Sequence, residues 1–288
     1  MKIKFTGISD EGADKLIDQI SLHKQLGWDS MEIRTVDGKN ICEMPDNDFD
    51  KIYERLGLEN IKVIGFASSI ANWARVVKGD FEVDKKDLLR AAQRMHKIKT
   101  PYLRIMSYAQ GEADKKEWGS EAIKRVKELT KMAEGEGIVL IHENCDGWAS
   151  SEPENLEHML DTIQSSSLKI VFDMGNPLSH GHPDAKVWDF LKVCESRIAH
   201  IHIKDCYIDK NEEAVHCFPG EGRCHVKSIV QHMISELNYS GYLSIEPHMI
   251  FQFHKGNTGK NNTDKLKAEN YLEYGRKTME LFADDNTK

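Results

Sequence analysis

Residues 138–174 read IVLIHENCDGWASSEPENLEHMLDTIQSSSLKIVFDM. Two short apolar runs rich in β-branched residues, 138–144 and 168–174, flank an amphipathic stretch of helical period at 152–164. Two strands that are joined through a helix normally lie parallel in one sheet, because the crossover returns the chain to its starting edge. This stretch therefore predicts a β–α–β unit and a parallel sheet covered by helices.

The same alternation extends from this unit towards both ends of the chain. Strands are predicted at 3–9, 30–34, 62–68, 102–107, 138–144, 168–174, 198–205 and 241–247. Helices are predicted at 12–26, 46–57, 84–98, 115–136, 152–164, 184–196, 225–238 and 265–284. Eight βα repeats in 288 residues are typical of a (β/α)₈ TIM barrel, and the GxGxxG turn that opens many doubly wound sheets is absent from the sequence. Since composition is uniform, residues 1–288 are predicted to form a single TIM-barrel domain.

Composition excludes several classes of protein. The chain carries 39 Lys+Arg and 47 Asp+Glu, a formal charge of −8, which repels phosphate backbones and argues against nucleic acid as a partner. No apolar run approaches the roughly 20 residues of a membrane span, and the first residues lack the apolar core of a signal peptide. Six scattered cysteines without a CxxC motif suit reduced thiols. We therefore expect a cytoplasmic enzyme acting on a small molecule, with a homo-oligomer as an open alternative.

Four consecutive predicted strands end in a side chain that can bind a metal ion: Glu143, Asp173, His202 and Glu246. The carboxyl ends of parallel barrel strands meet at one rim, so these side chains are expected to converge. Three neighbouring carboxylates repel one another unless a cation lies among them. Oxygen ligands with one imidazole suit Mn²⁺ best, with Co²⁺, Mg²⁺ and Zn²⁺ as alternatives. The pattern predicts one divalent metal ion held by all four residues.

Four further side chains near these strand ends are candidate substrate-binding residues: Lys204, Asn176, Trp148 and Arg104. Lys204 lies two residues after the predicted metal-binding histidine and so shares its face of the strand, although a surface lysine is the alternative. Arg104 could equally form a buried ion pair, Trp148 could pack under a loop, and Asn176 could begin a turn. His200, which lies deeper in its strand, is predicted to be a hydrogen-bonded core histidine.

The runs VFDMGNP (171–177), HIHIKD (200–205), PGEG (219–222) and GYLSIE (241–246) occur in this order along the chain. Together they resemble the sugar phosphate isomerase/epimerase family, the xylose-isomerase-like TIM barrels. The resemblance implies one divalent metal held by Glu143, Asp173, His202 and Glu246. It also implies proton transfer at a carbon next to a carbonyl, with Glu143 and Glu246 as the catalytic residues.

The resemblance leaves the reaction open among related chemistries. Isomerisation or epimerisation of a ketose or sugar derivative, through a metal-stabilised enediolate, is the first expectation. A metal-dependent lyase or dehydratase acting on a keto-sugar or inosose would begin with the same proton abstraction and is the alternative. Free-ketose 3-epimerases carry a histidine, a glutamate and an arginine where this chain has Asn176, Ala149 and Ile208. That type of epimerase is therefore disfavoured.

Overall fold

The computed structural model describes residues 3–249 and 260–283. Among these residues all eight predicted strands and all eight predicted helices form, with bounds within a few residues of those expected. The predicted helix end at 284 lies outside the described residues. None of the described helices has the length and apolarity of a membrane span.

The strands are β1 (Lys4–Gly7), β2 (Ser30–Ile33), β3 (Thr35–Val36), β4 (Lys39–Asn40), β5 (Lys62–Ala67), β6 (Tyr102–Ser107), β7 (Val139–Gly147), β8 (Leu168–Asp173), β9 (Ile198–Ile203), β10 (Asp205–Ile208), β11 (Ala214–Cys217) and β12 (Tyr242–Ile245). The helices are α1 (Leu16–Gln25), α2 (Asp46–Glu59), α3 (Phe81–Ile98), α4 (Lys115–Glu136), α5 (Pro153–Ile163), α6 (Asn176–Ser179), α7 (Ala185–Cys194), α8 (Val226–Ser235) and α9 (Lys260–Leu281). Eight strands are hydrogen-bonded into one sheet in the order β1-β12-β9-β8-β7-β6-β5-β2.

The chain divides into two compact units. The first unit comprises residues 1–38, 173–188 and 200–288, and the second comprises residues 39–172 and 189–199. In the first unit β12 pairs in parallel with β1 on one side and with β9 on the other. Its register places Ser244 beside His202, while an isolated bridge joins Ile8 to Glu32. Side chains of β2, β9 and β12 meet, since Ser244 Oγ donates to Glu32 Oε2 and His202 Nε2 lies 3.1 Å from the same oxygen.

The second unit contains four consecutive parallel strands, β5 to β8. Arg104 of β6 pairs with Ile141 of β7, and Glu143 of β7 pairs with Val171 of β8. Helix α4 begins at a capping box, in which Asp114 and Glu117 each accept a hydrogen bond from the backbone N–H of the other. The pairing of β6 with β7 is regular as far as Ile105 and His142 and then shifts register, so Glu143 lies on a buried strand where the regular pairing ends.

The region 205–224, for which neither a strand nor a helix is predicted beyond residue 205, contains the antiparallel hairpin β10–β11. Its two strands have only four residues each, DCYI and AVHC, which is too short for an alternating pattern to be recognised. The hairpin pairs Asp205 with Cys217 and Cys206 with His216. It therefore places a histidine and two cysteines close to the end of β9.

A buried histidine links α1 to α9 in the first unit. The Nδ1 atom of His23 lies 2.6 Å from the carbonyl oxygen of Ser30, which can only accept, so Nδ1 carries the proton. The Nε2 atom then accepts from the Tyr271 hydroxyl at 2.8 Å. Burial lowers the pKa of His23 to about 4, although the hydrogen bond to Ser30 acts in the opposite direction. His23 is therefore neutral in the folded protein.

This neutral histidine should make the fold sensitive to acid. In the unfolded chain the His23 imidazole binds a proton near pH 6.5. The contribution of neutral His23 to the free energy of unfolding is therefore fully present above that pH and is lost as the pH drops towards 4. Between pH 7.5 and pH 5 we expect the free energy of unfolding, measured in urea, to fall by about 2 kcal/mol more in wild type than in His23→Gln. The control His96→Gln, at an exposed histidine, should follow wild type. Equal pH dependence of wild type and His23→Gln would contradict the prediction.

Candidate functional site

Three of the predicted metal ligands meet in the first unit. Asp173 ends β8, His202 lies in β9 and Glu246 directly follows β12. All three side chains are buried, and their ligand atoms lie within 4.8 Å of one another. The Nδ1 atom of His202 is 3.5 Å from Glu246 Oε2 and 3.9 Å from Asp173 Oδ2. One imidazole nitrogen therefore faces two carboxylates.

The second nitrogen of His202 is held by Glu32. The Nε2 atom lies 3.1 Å from Glu32 Oε2, and the same carboxylate oxygen is 2.9 Å from His200 Nε2 and accepts from Ser244 Oγ at 2.8 Å. Burial raises the pKa of Glu32, but His202 and His200 outweigh burial and hold it well below its usual range. An ionised acceptor keeps a proton on Nε2 and leaves Nδ1 able to bind a cation.

The role of Glu32 as an orienting group was not identified from the sequence. Its separation of 170 residues from His202 leaves no local signal. The prediction that His200 is a hydrogen-bonded core histidine is confirmed, since its ring is buried and bonded to Glu32.

Both carboxylate oxygens of Glu246 face cationic or imidazole groups. Oε1 lies 3.0 Å from Arg34 Nη1 and 3.4 Å from His248 Nε2, while Oε2 lies 3.0 Å from Lys204 Nζ. Burial raises the pKa of Glu246, but Lys204 and His248 outweigh it, so the pKa lies well below the usual range. Glu246 is therefore ionised, as a metal ligand must be.

His248 is a further residue at this site that sequence reasoning did not identify. Its backbone has a positive φ of 49°, an uncommon conformation for a histidine. Its backbone N–H donates to Glu11 Oε2 at 3.3 Å, and its ring stands at 5.4 Å, edge to face, from the ring of His216 on the hairpin. The only sequence signal was its position two residues after Glu246. The imidazole of His248 therefore stands beside Glu246, and that of His216 packs on it.

Lys204 is buried, which excludes the alternative of a surface lysine. Its Nζ atom lies 3.0 Å from Asp173 Oδ2, 3.0 Å from Glu246 Oε2 and 2.9 Å from Asn176 Oδ1. The ammonium group therefore contacts the same carboxylate oxygens that face His202. Binding of a substrate oxygen by Lys204 stays a prediction.

Asp173 uses its two oxygens differently. Oδ1 accepts hydrogen bonds from the backbone N–H groups of Gly175 and Asn176, at 2.8 and 3.0 Å, at the start of α6. Oδ2 faces Lys204 and His202. Asn176 thus both begins a turn, as one alternative had it, and accepts from Lys204 through its side chain.

In the second unit Glu143 is paired with Arg104. Arg104 Nη1 lies 3.0 Å from Glu143 Oε2, and both side chains are buried. Arg104 Nη2 also donates to the carbonyl oxygen of Ser68 at 3.2 Å. The alternative of a buried ion pair for Arg104 is therefore observed, and its predicted contact with substrate stays a prediction.

Trp148 packs between other side chains of the second unit. Its ring stands edge to face on His158 at 6.1 Å, and a Cβ atom added to Gly119 of α4 would come within 2.7 Å of the indole. The half-buried ring thus fills the space left by a glycine, which agrees with the packing alternative. A role for Trp148 in substrate binding stays a prediction.

The motifs HIHIKD and PGEG form one structural element through Asp205. Its Oδ2 atom accepts from the backbone N–H groups of Gly220 and Gly222, at 2.8 and 3.0 Å. Its Oδ1 atom accepts from those of Cys206 and Cys224, at 3.0 and 3.1 Å. A Cβ atom at Gly222 would lie 2.2 Å from Asp205 Oδ1, so glycine is required there. The carboxylate of Asp205 therefore holds the segment between β11 and α8 against the start of the hairpin.

Comparison with known proteins places these features in context. Residues 20–268 match the family described as xylose isomerase-like TIM barrel. Over 147 residues, 46% of this chain and 48% of the relative, the sequence is 24% identical to an inosose dehydratase of Clostridium perfringens. The chain thus spans about half the length of the curated relatives that it matches.

Two solved structures are similar over nearly the whole chain. The IOLI protein with a bound zinc atom superimposes with a TM-score of 0.69 at 17% identity, covering 99% of both chains. The 3-keto-D-glucoside 4-epimerase YcjR of Escherichia coli gives a TM-score of 0.63 at 14% identity, covering 96% of this chain and 99% of that one. At these identities the likeness concerns the fold, and the predicted (β/α)₈ TIM barrel is confirmed.

Proposed function

Because this chain belongs to the xylose isomerase-like TIM barrel family, we propose that it is a divalent-metal-dependent isomerase or epimerase of a ketose or sugar derivative. The reaction would move a proton at a carbon next to a carbonyl. The observation that carries the proposal is the orientation of His202, whose Nε2 is held by ionised Glu32 while Nδ1 faces two buried carboxylates. That arrangement is typical of a histidine prepared to bind a metal ion.

The donor set fits a divalent cation. The first unit supplies the carboxylates of Asp173 and Glu246 and the imidazole of His202. We take Glu143 as the fourth ligand, because it pairs with Val171, two residues before Asp173 on β8. Carboxylate-rich sets suit Mn²⁺, Co²⁺ or Mg²⁺, and an imidazole also admits Zn²⁺, the metal of the similar IOLI structure. When bound, such a cation polarises a substrate carbonyl and stabilises the negative charge of an enediolate.

The protein's own groups would perform the proton transfer. Glu143 and Glu246 are the proposed bases, and the choice between one base and two decides between isomerisation and epimerisation. Arg104 fixes one oxygen of Glu143, which sets the direction of the other. Glu246 can take a proton only where a contact to Arg34 or Lys204 is released, since both its oxygens are engaged. Movement of Lys204 from Glu246 towards the substrate would free one oxygen of Glu246 to accept the proton and would bring the ammonium group to the substrate.

A dehydratase is the second candidate, and a specific observation favours it. His248 stands 3.4 Å from Glu246, and its ring packs on that of His216. An imidazole beside the proposed base could protonate a hydroxyl group that leaves as water after proton abstraction. The curated relative of this chain named as an inosose dehydratase is consistent with such an elimination.

Removal of the metal tests the proposal directly. Protein dialysed against a chelator should lose about a thousandfold in rate, since Lewis-acid stabilisation is worth several kcal/mol, and Mn²⁺ or Co²⁺ should restore it. The assay is incorporation of solvent deuterium into a panel of ketoses and inososes, followed by mass spectrometry. A product whose mass rises only by the incorporated deuterium supports isomerisation or epimerisation, and loss of one water supports the dehydratase. If no substrate of the panel exchanges with any of the four metals present, both functions fail.

A further inference from the structure

Two thiols lie together at the base of the β10–β11 hairpin. Cys206 Sγ and Cys224 Sγ are 3.5 Å apart, and both residues are fully buried. Cys206 Sγ also lies 3.5 Å from Ser179 Oγ and 3.8 Å from the carbonyl oxygen of Gly175. The proposed reaction assigns no role to either sulfur atom.

The backbone fixes this pair independently of the sulfur atoms. Asp205 Oδ1 accepts the backbone N–H groups of both cysteines, at 3.0 and 3.1 Å. The backbone N–H of Arg223 donates to the carbonyl oxygen of Cys206 at 2.8 Å. Two of these hydrogen bonds, from the backbone N–H groups of Cys224 and Arg223, tie the two segments together. The sulfur atoms face each other at a distance that small side-chain rotations can shorten to a bond.

We propose that Cys206 and Cys224 form a reversible disulfide in response to a peroxide-class oxidant, which closes residues 206–224 into a covalent loop. In the first step Cys206 gives up its proton, its thiolate attacks one peroxide oxygen and the O–O bond breaks. The leaving hydroxide takes up the released proton, so that a sulfenic acid and water form. In the second step Cys224 sulfur attacks the Cys206 sulfur and displaces the hydroxyl as a second water. Two thiols lose two electrons, and hydrogen peroxide accepts them.

The surroundings distinguish the two sulfur atoms. The hydrogen bond from Cys224 is the largest cause that lowers the pKa of Cys206, and that of Ser179 adds to it, although burial opposes both. The same hydrogen bond and burial raise the pKa of Cys224. Cys206 is thus the sulfur that is oxidised first, because the thiolate is the nucleophile.

Cys217 offers an internal control. In the hairpin register Cys217 pairs with Asp205, and Cys206 pairs with His216, so the two cysteines point to opposite faces. Burial raises the pKa of Cys217 to about 12, which keeps it a thiol. A disulfide that follows this geometry must join Cys206 to Cys224 and leave Cys217 reduced.

The bridge would act on the rim of the proposed active site. The closed loop contains His216, whose ring packs on His248. Closing a loop of this size removes freedom mainly from the unfolded chain, so the oxidised protein should melt roughly 5 °C higher than the reduced one. This consequence is independent of which reaction the site catalyses.

The test is to treat the folded protein with hydrogen peroxide, alkylate free thiols and map unreduced peptides by mass spectrometry. We expect a Cys206–Cys224 link that dithiothreitol reverses, together with the higher melting temperature. Cys217→Ser should form the same link, and Cys224→Ser should stop at a sulfenic acid on Cys206 that dimedone labels. Peroxide-treated wild type without the link, a link to Cys217, or dimedone labelling of Cys224 would each overturn the proposal, and wild-type mapping decides even if a variant fails to fold.

Discussion

Replacement of Glu246 by glutamine should lower kcat by about a thousandfold and abolish the exchange of solvent deuterium into substrate, because the side chain can no longer accept a proton. Glutamine keeps the size of the side chain and one oxygen that can face Lys204 or Arg34. The variant should therefore stay folded, and its loss of activity should be much larger than any loss of folded protein. The rates of deuterium exchange and of turnover, both measured at saturating metal, test this prediction.

Glu246 is also a proposed metal ligand, so the variant needs a readout of metal content. Elemental analysis of Glu246→Gln after loading with Mn²⁺ separates a protein that lacks the base from one that lacks the metal. Glu236→Gln, at an exposed glutamate after α8, is the matched control and should retain full activity. If metal-loaded Glu246→Gln keeps more than about a tenth of the wild-type exchange rate, Glu246 is not the base, since such a base contributes at least about a hundredfold.

Much of the fold could be predicted from the sequence because its signals are local. The β–α–β alternation repeats eight times, and each repeat is readable within about 30 residues, which is why the strands and helices were found. Asp173 and Glu246 were found in the same way, as acidic residues at strand ends. The parity of Lys204 with His202 correctly predicted the face on which Lys204 lies.

The missed features depend on contacts between distant strands. Glu32 orients His202 across 170 residues of sequence, and the role of Asp205 becomes visible only when four backbone N–H groups converge on it. His248 owes its position to a positive φ, which sequence periodicity does not encode. A candidate ligand at the end of a strand can therefore be predicted from the sequence of that strand alone. The residues that orient the ligand lie on other strands and cannot be predicted in this way.

The net charge of −8 says little about this site, where the buried carboxylates of Asp173 and Glu246 face cationic or imidazole groups. Asp173 and Glu246 share one ammonium group, that of Lys204, which is 3.0 Å from an oxygen of each. A divalent cation at His202 would compete for the same two oxygens. We therefore expect Lys204 to stabilise the metal-free protein and to oppose the binding of a metal ion.

Lys204→Met should accordingly have opposite effects on the two forms of the protein. In the presence of a chelator we expect the free energy of unfolding to fall by about 3 kcal/mol, because two buried carboxylates lose their shared cation. Metal affinity should rise by at least roughly tenfold, since a nearby positive charge is removed. Urea unfolding and calorimetric titration with Mn²⁺ measure these two quantities separately.

Lys39→Met provides the control, because Lys39 forms an ion pair that is even shorter, 2.7 Å to Asp48, on an exposed surface. That variant should match wild type in metal affinity and should not show the opposed changes. The decisive comparison is the sign of the change in affinity. If Lys204 only holds the ligands in place, its removal should weaken the binding of the metal ion. If Lys204 competes with the metal ion, its removal should strengthen that binding. Weaker binding of Mn²⁺ by Lys204→Met would therefore contradict the competition between ammonium and metal ion.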